Sequence, residues 1–161
     1  MADELPRIRQ LWPGDEPSTL TIGWADGTRA TVDLAGVIAR FKPFAPLAER
    51  ELFRQARVID HGAGIGWPNG LDYSADSSRL VADEQRAMTT EEFRTWQGKL
   101  GLSNQEAADV LGLSLRTVNN YRAGATIPKT AGAFCRSTLR DRAVFRAHFR
   151  PRKTGRPRKS A

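Results

Sequence analysis

One cysteine, Cys135, and two histidines, His61 and His148, in 161 residues leave little room for several kinds of chemistry. A single thiol cannot close an internal disulfide or furnish a multi-cysteine zinc site, which suits a reducing compartment. Neither histidine lies in a cluster of His, Cys and carboxylates at ligand spacing, so no metal and no cofactor is expected. Long apolar runs are lacking as well, and nothing approaches the roughly 20 residues that a bilayer span needs. Met1-Ala2-Asp3-Glu4 brings acid where a secretory leader carries base. No nucleophile, base and orienting acid recur at interpretable spacing, so the chain does not read as an enzyme. The expectation is a soluble, cytoplasmic protein without membrane contact, made of one domain or two small ones.

Charge is present, and it is unevenly placed. The formal net charge is +7, yet residues 1–88 hold 10 basic and 13 acidic side chains, against 15 basic and 5 acidic in residues 89–161. That asymmetry points to a polyanion-binding C-terminal half joined to a mildly acidic module. Charge alone does not choose between DNA, RNA and a membrane surface.

In the first half, Leu20, Ile22 and Trp24 alternate with polar residues, as do Ala30, Val32 and Leu34. Asp26-Gly27 between the two runs supplies the positive φ of a tight turn, predicting a β-hairpin. Ala35 to Phe41 and Pro46 to Phe53 read as short helices, and Ala56 to Asp60 as a third strand. Gly62-Ala63-Gly64-Ile65-Gly66 superficially suggests a phosphate loop, but no helix follows, and it reads as a hairpin turn into a short strand. Asp72 and Asp76 read as turn-stabilising and helix-capping groups.

The hairpin ending in Val32-Asp33-Leu34 and the run Trp67-Pro68-Asn69-Gly70-Leu71-Asp72 resemble a small bacterial domain of unknown function over roughly Arg7 to Leu80. The resemblance implies an α+β domain of the kind found beside or fused to helix-turn-helix modules, some members of which partner toxin-like proteins. It implies no activity.

The second half is punctuated by caps. Thr89 with Glu92 fits a capping box, followed by Phe93, Trp96 and Leu100 at helical spacing until Gly101. Ser103 caps a helix from Asn104 to Leu111 with Ala107, Ala108 and Leu111 on its apolar face, and Gly112 ends it. Ser114 caps a third helix, Leu115 to Arg122, with Val118 and Tyr121 inward, closed by Ala123-Gly124. Lys129 to Phe149 reads as one long or two short helices with Phe134, Leu139, Phe145 and Phe149 buried. Arg142, Arg146 and Arg150 form a stripe that is either solvated or contacts a phosphate backbone or an acidic partner.

Leu102-Ser103-x-x-Glu106-Ala107-Ala108, continued by Arg122-Ala123-Gly124-x-x-x-Pro128, resembles the phage-repressor and Cro-like helix-turn-helix family over Glu92 to Pro128. In that geometry Leu115, Arg116 and Asn120 face the major groove: Arg116 suits guanine, Asn120 adenine and Leu115 a thymine methyl. The resemblance assigns the DNA backbone to Asn104, Gln105, Thr117 and Asn119. Arg122 stands where relatives carry an acid and is expected to add a further backbone contact. Exposed Phe side chains beyond Pro128 would suit a homodimer reading two half-sites.

Residues 151–161 carry Arg152, Lys153, Arg156, Arg158 and Lys159 without an acid. Gly155-Arg156-Pro157 resembles the core of an AT-hook, implying minor-groove or phosphate contact, although Thr154 replaces the usual Arg. The organisation expected is an α+β protein: a small α+β domain over 1–85, an all-α helix-turn-helix domain over 88–150 and a basic tail over 151–161. Proteolysis is expected to separate the halves near Asp83 to Ala87. Two functions compete. One is a DNA-binding transcriptional regulator, a dimeric repressor associated with the nucleoid when bound. The other is an antitoxin-like protein whose residues 1–85 hold a toxin or other protein partner, with DNA binding as autoregulation.

Overall fold

The computed structural model describes residues 5–152. The chain divides into two compact units, Met1–Gln85 and Arg86–Ala161. The first combines small sheets with short helices and the second is helical, so the α+β character expected from sequence is present. Among the described residues no helix is long and apolar enough to cross a membrane.

Alternation builds the first unit. Strand β2 (Thr19–Trp24) pairs antiparallel with β3 (Arg29–Asp33), with Leu20 opposite Val32 and Ile22 opposite Ala30. The turn is held by the Asp26 carboxylate, which accepts from the Thr28 N–H and hydroxyl, and by Gly27 at φ 86°. A strand that the sequence did not advertise, β1 (Ile8–Pro13), adds to the other edge of β2, with a register shift between Ile8 and Gln10. The shift breaks the alternation that would have revealed it.

The expected helix Pro46 to Phe53 is instead a 3-10 segment, Lys42–Ala48, followed by the single α-turn α2 (Arg50–Phe53). Glu49 separates them because its carboxylate caps α2 through the Glu51 and Leu52 N–H groups. Upstream, α1 spans Ala35–Arg40. Strands β4 (Arg57–Ile59), β5 (Gly64–Gly66) and β6 (Asp72–Ser74) form a second antiparallel sheet. Asp60, His61 and Gly62 all have positive φ in the turn between β4 and β5. A Cβ on Gly62 would lie 2.5 Å from the Ile8 carbonyl oxygen, so only glycine lets β1 approach there.

The Trp-Pro-Asn-Gly run is architectural. Trp67 is buried, its indole N–H donates to the Phe53 carbonyl at 3.0 Å, and the Gly70 N–H closes a turn onto the Trp67 carbonyl. Asp72 and Asp76 do not take the parts expected of them. Asn69 braces the turn by accepting from the Leu71 N–H, and Ser74 caps the next helix through the Ser77 N–H. The extent of that helix, α3 (Ala75–Gln85), was not legible beyond the capping role given to Asp72 and Asp76, since it buries Ala75, Ser78 and Ala82 rather than an aliphatic stripe. It absorbs most of the segment read as a linker. Gln85 clamps the end of β3 by exchanging hydrogen bonds with both the N–H and the C=O of Asp33.

The second unit contains α4 (Thr90–Lys99), α5 (Asn104–Leu111), α6 (Leu115–Arg122), α7 (Lys129–Arg140) and α8 (Arg142–His148). Its core joins Phe93, Trp96, Ala107, Ala108, Val110, Val118, Tyr121, Ile127 and Cys135. Val110 is buried where Leu111 was expected to dominate. Phe93 packs edge-on to Tyr121 at 5.6 Å, and the Trp96 indole N–H donates to the Thr138 hydroxyl at 2.9 Å. Burial raises the Cys135 thiol pKa to about 12. Helix α7 buries a face of small groups, Gly132, Cys135 and Thr138, with Met88 filling the space above Gly132. That choice turns Leu139 outward, 38% exposed, contrary to the expected pattern, while Phe134, Phe145 and Phe149 pack against the core from its edge.

Candidate nucleic-acid interface

Local chemistry fixes three helices of the second unit before packing does. Thr89 accepts from the Glu92 N–H and Glu92 returns the bond to the Thr89 N–H, and the Ser103–Glu106 pair repeats the same capping box at α5. For Glu92, burial works to raise the carboxyl pKa, but the Thr89 N–H and Arg86 outweigh it and the net shift is downward. The Ser103 N–H and hydroxyl hold Glu106 below the usual carboxylate range. Helix α6 starts at Ser114, whose hydroxyl accepts from the Thr117 N–H. Such caps contribute about 1 kcal/mol each.

Gly112, at φ 65°, joins α5 to α6. Its left-handed conformation lets the Gly112 and Leu113 N–H groups return to the last turn of α5, so α6 leaves at a fixed angle. Ala107 and Ala108 are fully buried, and Val118 and Tyr121 anchor the inner face of α6. At its far end the Arg94 guanidinium donates through Nε, at 3.1 Å, and Nη2 to the Arg122 carbonyl. A cation there also complements the helix dipole.

What remains outside on α6 is Leu115, Arg116, Asn119 and Asn120, all exposed. Leu115 is 40% accessible, unusual for a large apolar side chain. Among the described residues, neither the Arg116 guanidinium nor the Asn120 amide has a hydrogen-bond or ion-pair partner. A planar cation, an amide and an aliphatic group thus share one rigid helical surface with their binding capacity unspent.

The residues assigned to the backbone are placed less uniformly. Thr117 is half-buried and shares a hydrogen bond with Ser114. Gln105 donates to Asp109 at 3.2 Å. Asn104 and Asn119 bond to each other, with Asn104 Nδ2 donating to Asn119 Oδ1 at 2.9 Å. Arg122 turns back into the unit, and its Nη1 donates to Gln97 Oε1 at 2.8 Å. Gln97, a buried polar residue that sequence reasoning missed, is the hub of this set. Its only sequence signal is a position beside Trp96 on the helix, which does not distinguish a buried amide from a surface one.

Arg152 lies on the outside of α5. Its Nε and Nη2 make a two-pronged contact with the Asp109 carboxylate at 2.7 and 3.0 Å, which lowers the Asp109 pKa. Its backbone N–H also approaches Glu106 at 3.3 Å. Lys153, Arg156, Arg158 and Lys159 lie outside the described residues. The arginines of α8 and its flank, Arg142, Arg146 and Arg150, are all exposed. Among the described residues no group of three His, Cys, Asp or Glu is placed to hold a metal ion.

Residues 8–77 match the model of a family described as a protein of unknown function, DUF2442. No curated protein matches the chain. Among solved structures, the chain is similar to the crystal structure of a candidate DNA-binding protein from Nitrosomonas europaea. The two are 25% identical, the match covers 96% of this chain and 94% of that one, and the TM-score is 0.47.

Proposed function

We propose that the C-terminal unit binds double-stranded DNA by laying α6 in the major groove, and that the protein regulates transcription from the site it reads. The observation carrying this reading is the outer face of α6, where Leu115, Arg116 and Asn120 stand exposed on a helix fixed by Gly112, Val118 and Tyr121. A groove-reading helix needs polar side chains whose hydrogen bonds are not already made within the protein, held by a backbone that does not yield. The basic excess of residues 89–161 supplies the attraction to phosphates that any such helix depends on.

In this reading Arg116 donates bidentately to guanine O6 and N7, Asn120 pairs with adenine N6 and N7, and Leu115 meets a thymine methyl. Asn104, Gln105 and Thr117 lie close enough to the start of the two helices to hold phosphates. Arg122 gives Nη1 to Gln97, so a backbone contact by this residue would use its remaining N–H groups. The proposal extends to repression by a pair of copies on half-sites about one helical turn apart, the arrangement that two-fold helix-turn-helix proteins use. The deciding experiment is selection of duplexes from a random library by the full-length protein. A common enriched motif, bound with a steep salt dependence, supports the proposal, and failure to retain any duplex at low salt refutes it.

A further inference from the structure

The polar side chains that lead from the interior of the C-terminal unit to α6 set a direction as well as a position. Arg122 can only donate, and the Leu102 carbonyl can only accept. Gln97 lies between them, 4% exposed: its Oε1 accepts from Arg122, and its Nε2 donates to the Leu102 carbonyl at 2.9 Å and to Asn104 Oδ1 at 2.8 Å. Turning this amide over would oppose two donors at Arg122 and two acceptors at Leu102, so its orientation is forced. Asn104 is forced in turn, since its Oδ1 is engaged by Gln97 and its Nδ2 must donate onward to Asn119 Oδ1. What Asn119 has wholly unspent, on the exposed side of α6, is its NH2 group, since Asn104 turns the oxygen toward itself and takes one of its lone pairs.

We infer that Gln97 and Arg122 are positioning residues that present Asn119 to nucleic acid as a hydrogen-bond donor. The inference rests on α6 being the DNA-contacting helix and names the chemistry of one contact, an acceptor on the nucleic acid. Asn119 and Asn120 are adjacent and chemically identical, yet they differ in use. Asn120 keeps both its donor and its acceptor for the bidentate pattern of adenine, whereas the oxygen of Asn119 is held by Asn104. The acceptor that Asn119 meets is either a phosphodiester oxygen or a base carbonyl such as guanine O6.

The test uses the full chain and the duplex enriched by selection. Affinity is measured for the wild type, Gln97→Met, Asn119→Ala and the double variant, with thermal melting of each in the absence of DNA. Gln97→Met removes the amide at nearly constant length. Each single change is expected to weaken binding about three- to tenfold, the range of one hydrogen bond. The double variant should be no weaker than the worse single, because both act through the same donor. Asn104→Ala cuts the chain at a half-buried link and should show the same non-additivity with Asn119→Ala, which covers a failure of Gln97→Met to fold.

Methylphosphonate substitution at single phosphates, and 2-aminopurine in place of guanine, then locate the acceptor. The position sought is one whose change weakens the wild type but not Asn119→Ala. Losses that simply multiply in the double variants, or the absence of any such position, would overturn the inference while leaving the proposed function standing. If the wild type binds no duplex at low salt, the proposed function fails and the inference with it.

Discussion

The two units spend their polar side chains differently. In Met1–Gln85 they close local geometry: Asp26 ties its own turn through Thr28 and pairs with Arg79 at 3.1 Å, Asn69 braces another turn, and Gln85 seals the end of β3. In Arg86–Ala161 the caps do similar local work, but Arg122, Gln97, Asn104 and Asn119 form a chain that ends on an exposed helix beside side chains with no internal partner. The difference lies in where the hydrogen bonds lead, back onto the same unit's backbone in the first and out to one helix face in the second, and charge does not separate them, since arginines are exposed in both units.

The largest effect expected concerns the platform beneath that surface. Phe93 is fully buried between Trp96 and Tyr121, so Phe93→Ala should cost about 3–5 kcal/mol of stability by chemical denaturation. A cost under about 1 kcal/mol would mean that α6 is not held by this aromatic cluster, and the contrast between the units would lose its basis. Next in size are Arg116→Ala and Asn120→Ala, each expected to lose about 1–3 kcal/mol of affinity for the selected duplex with random-sequence binding nearly intact. Equal losses on both duplexes would remove these residues from the base-reading face.

The caps of α4, α5 and α6 were legible from sequence because Thr89, Ser103, Ser114, Gly101 and Gly112 act on residues within one turn of themselves. The hairpin around Asp26-Gly27 was legible for the same reason. The misses needed partners distant in sequence or departed from the expected size of a core residue. Helix α3 buries Ser78 and α7 buries Gly132 and Thr138, so a search for large apolar stripes passes over the first and misorients Leu139 on the second. At the candidate interface, helical spacing against Val118 and Tyr121 revealed the exposed residues of α6 but not that Arg122 turns inward, because Gln97 lies 25 residues away.

A pair of tryptophans sharpens the contrast. The Trp96 N–H is matched by the Thr138 hydroxyl, whereas the buried Trp24 N–H has no hydrogen-bond partner among the described residues. Both changes lose the same ring volume, so Trp96→Phe should cost about 1–3 kcal/mol more than Trp24→Phe, read from denaturation midpoints. Equal costs would show that the two cores treat polar groups alike.

The smallest effect is that of one cap. Thr89→Ala should lower stability by about 1 kcal/mol near neutral pH. Alanine removes only the hydroxyl that the Glu92 N–H donates to and keeps the backbone N–H that donates to the Glu92 carboxylate, so this difference in melting temperature should persist in acid. The carboxylate's own share is read from Glu92→Gln: because the folded pKa of Glu92 is lowered, its stabilisation is complete above the ordinary carboxylate range and fades as pH falls through the lowered value, so that variant and the wild type should converge in acid.

Cys135 gives the C-terminal unit a clock. Its thiolate is the form that attacks alkylating reagents, and burial both hides the sulfur and keeps it protonated at any ordinary pH. Modification must then wait for the core around α7 to open. No other cysteine exists in the chain to blur the signal. The rate at which this one sulfur is labelled, with and without DNA, therefore measures how often the unit carrying α6 loosens, and any ligand that binds only the closed form should slow it in proportion to its occupancy.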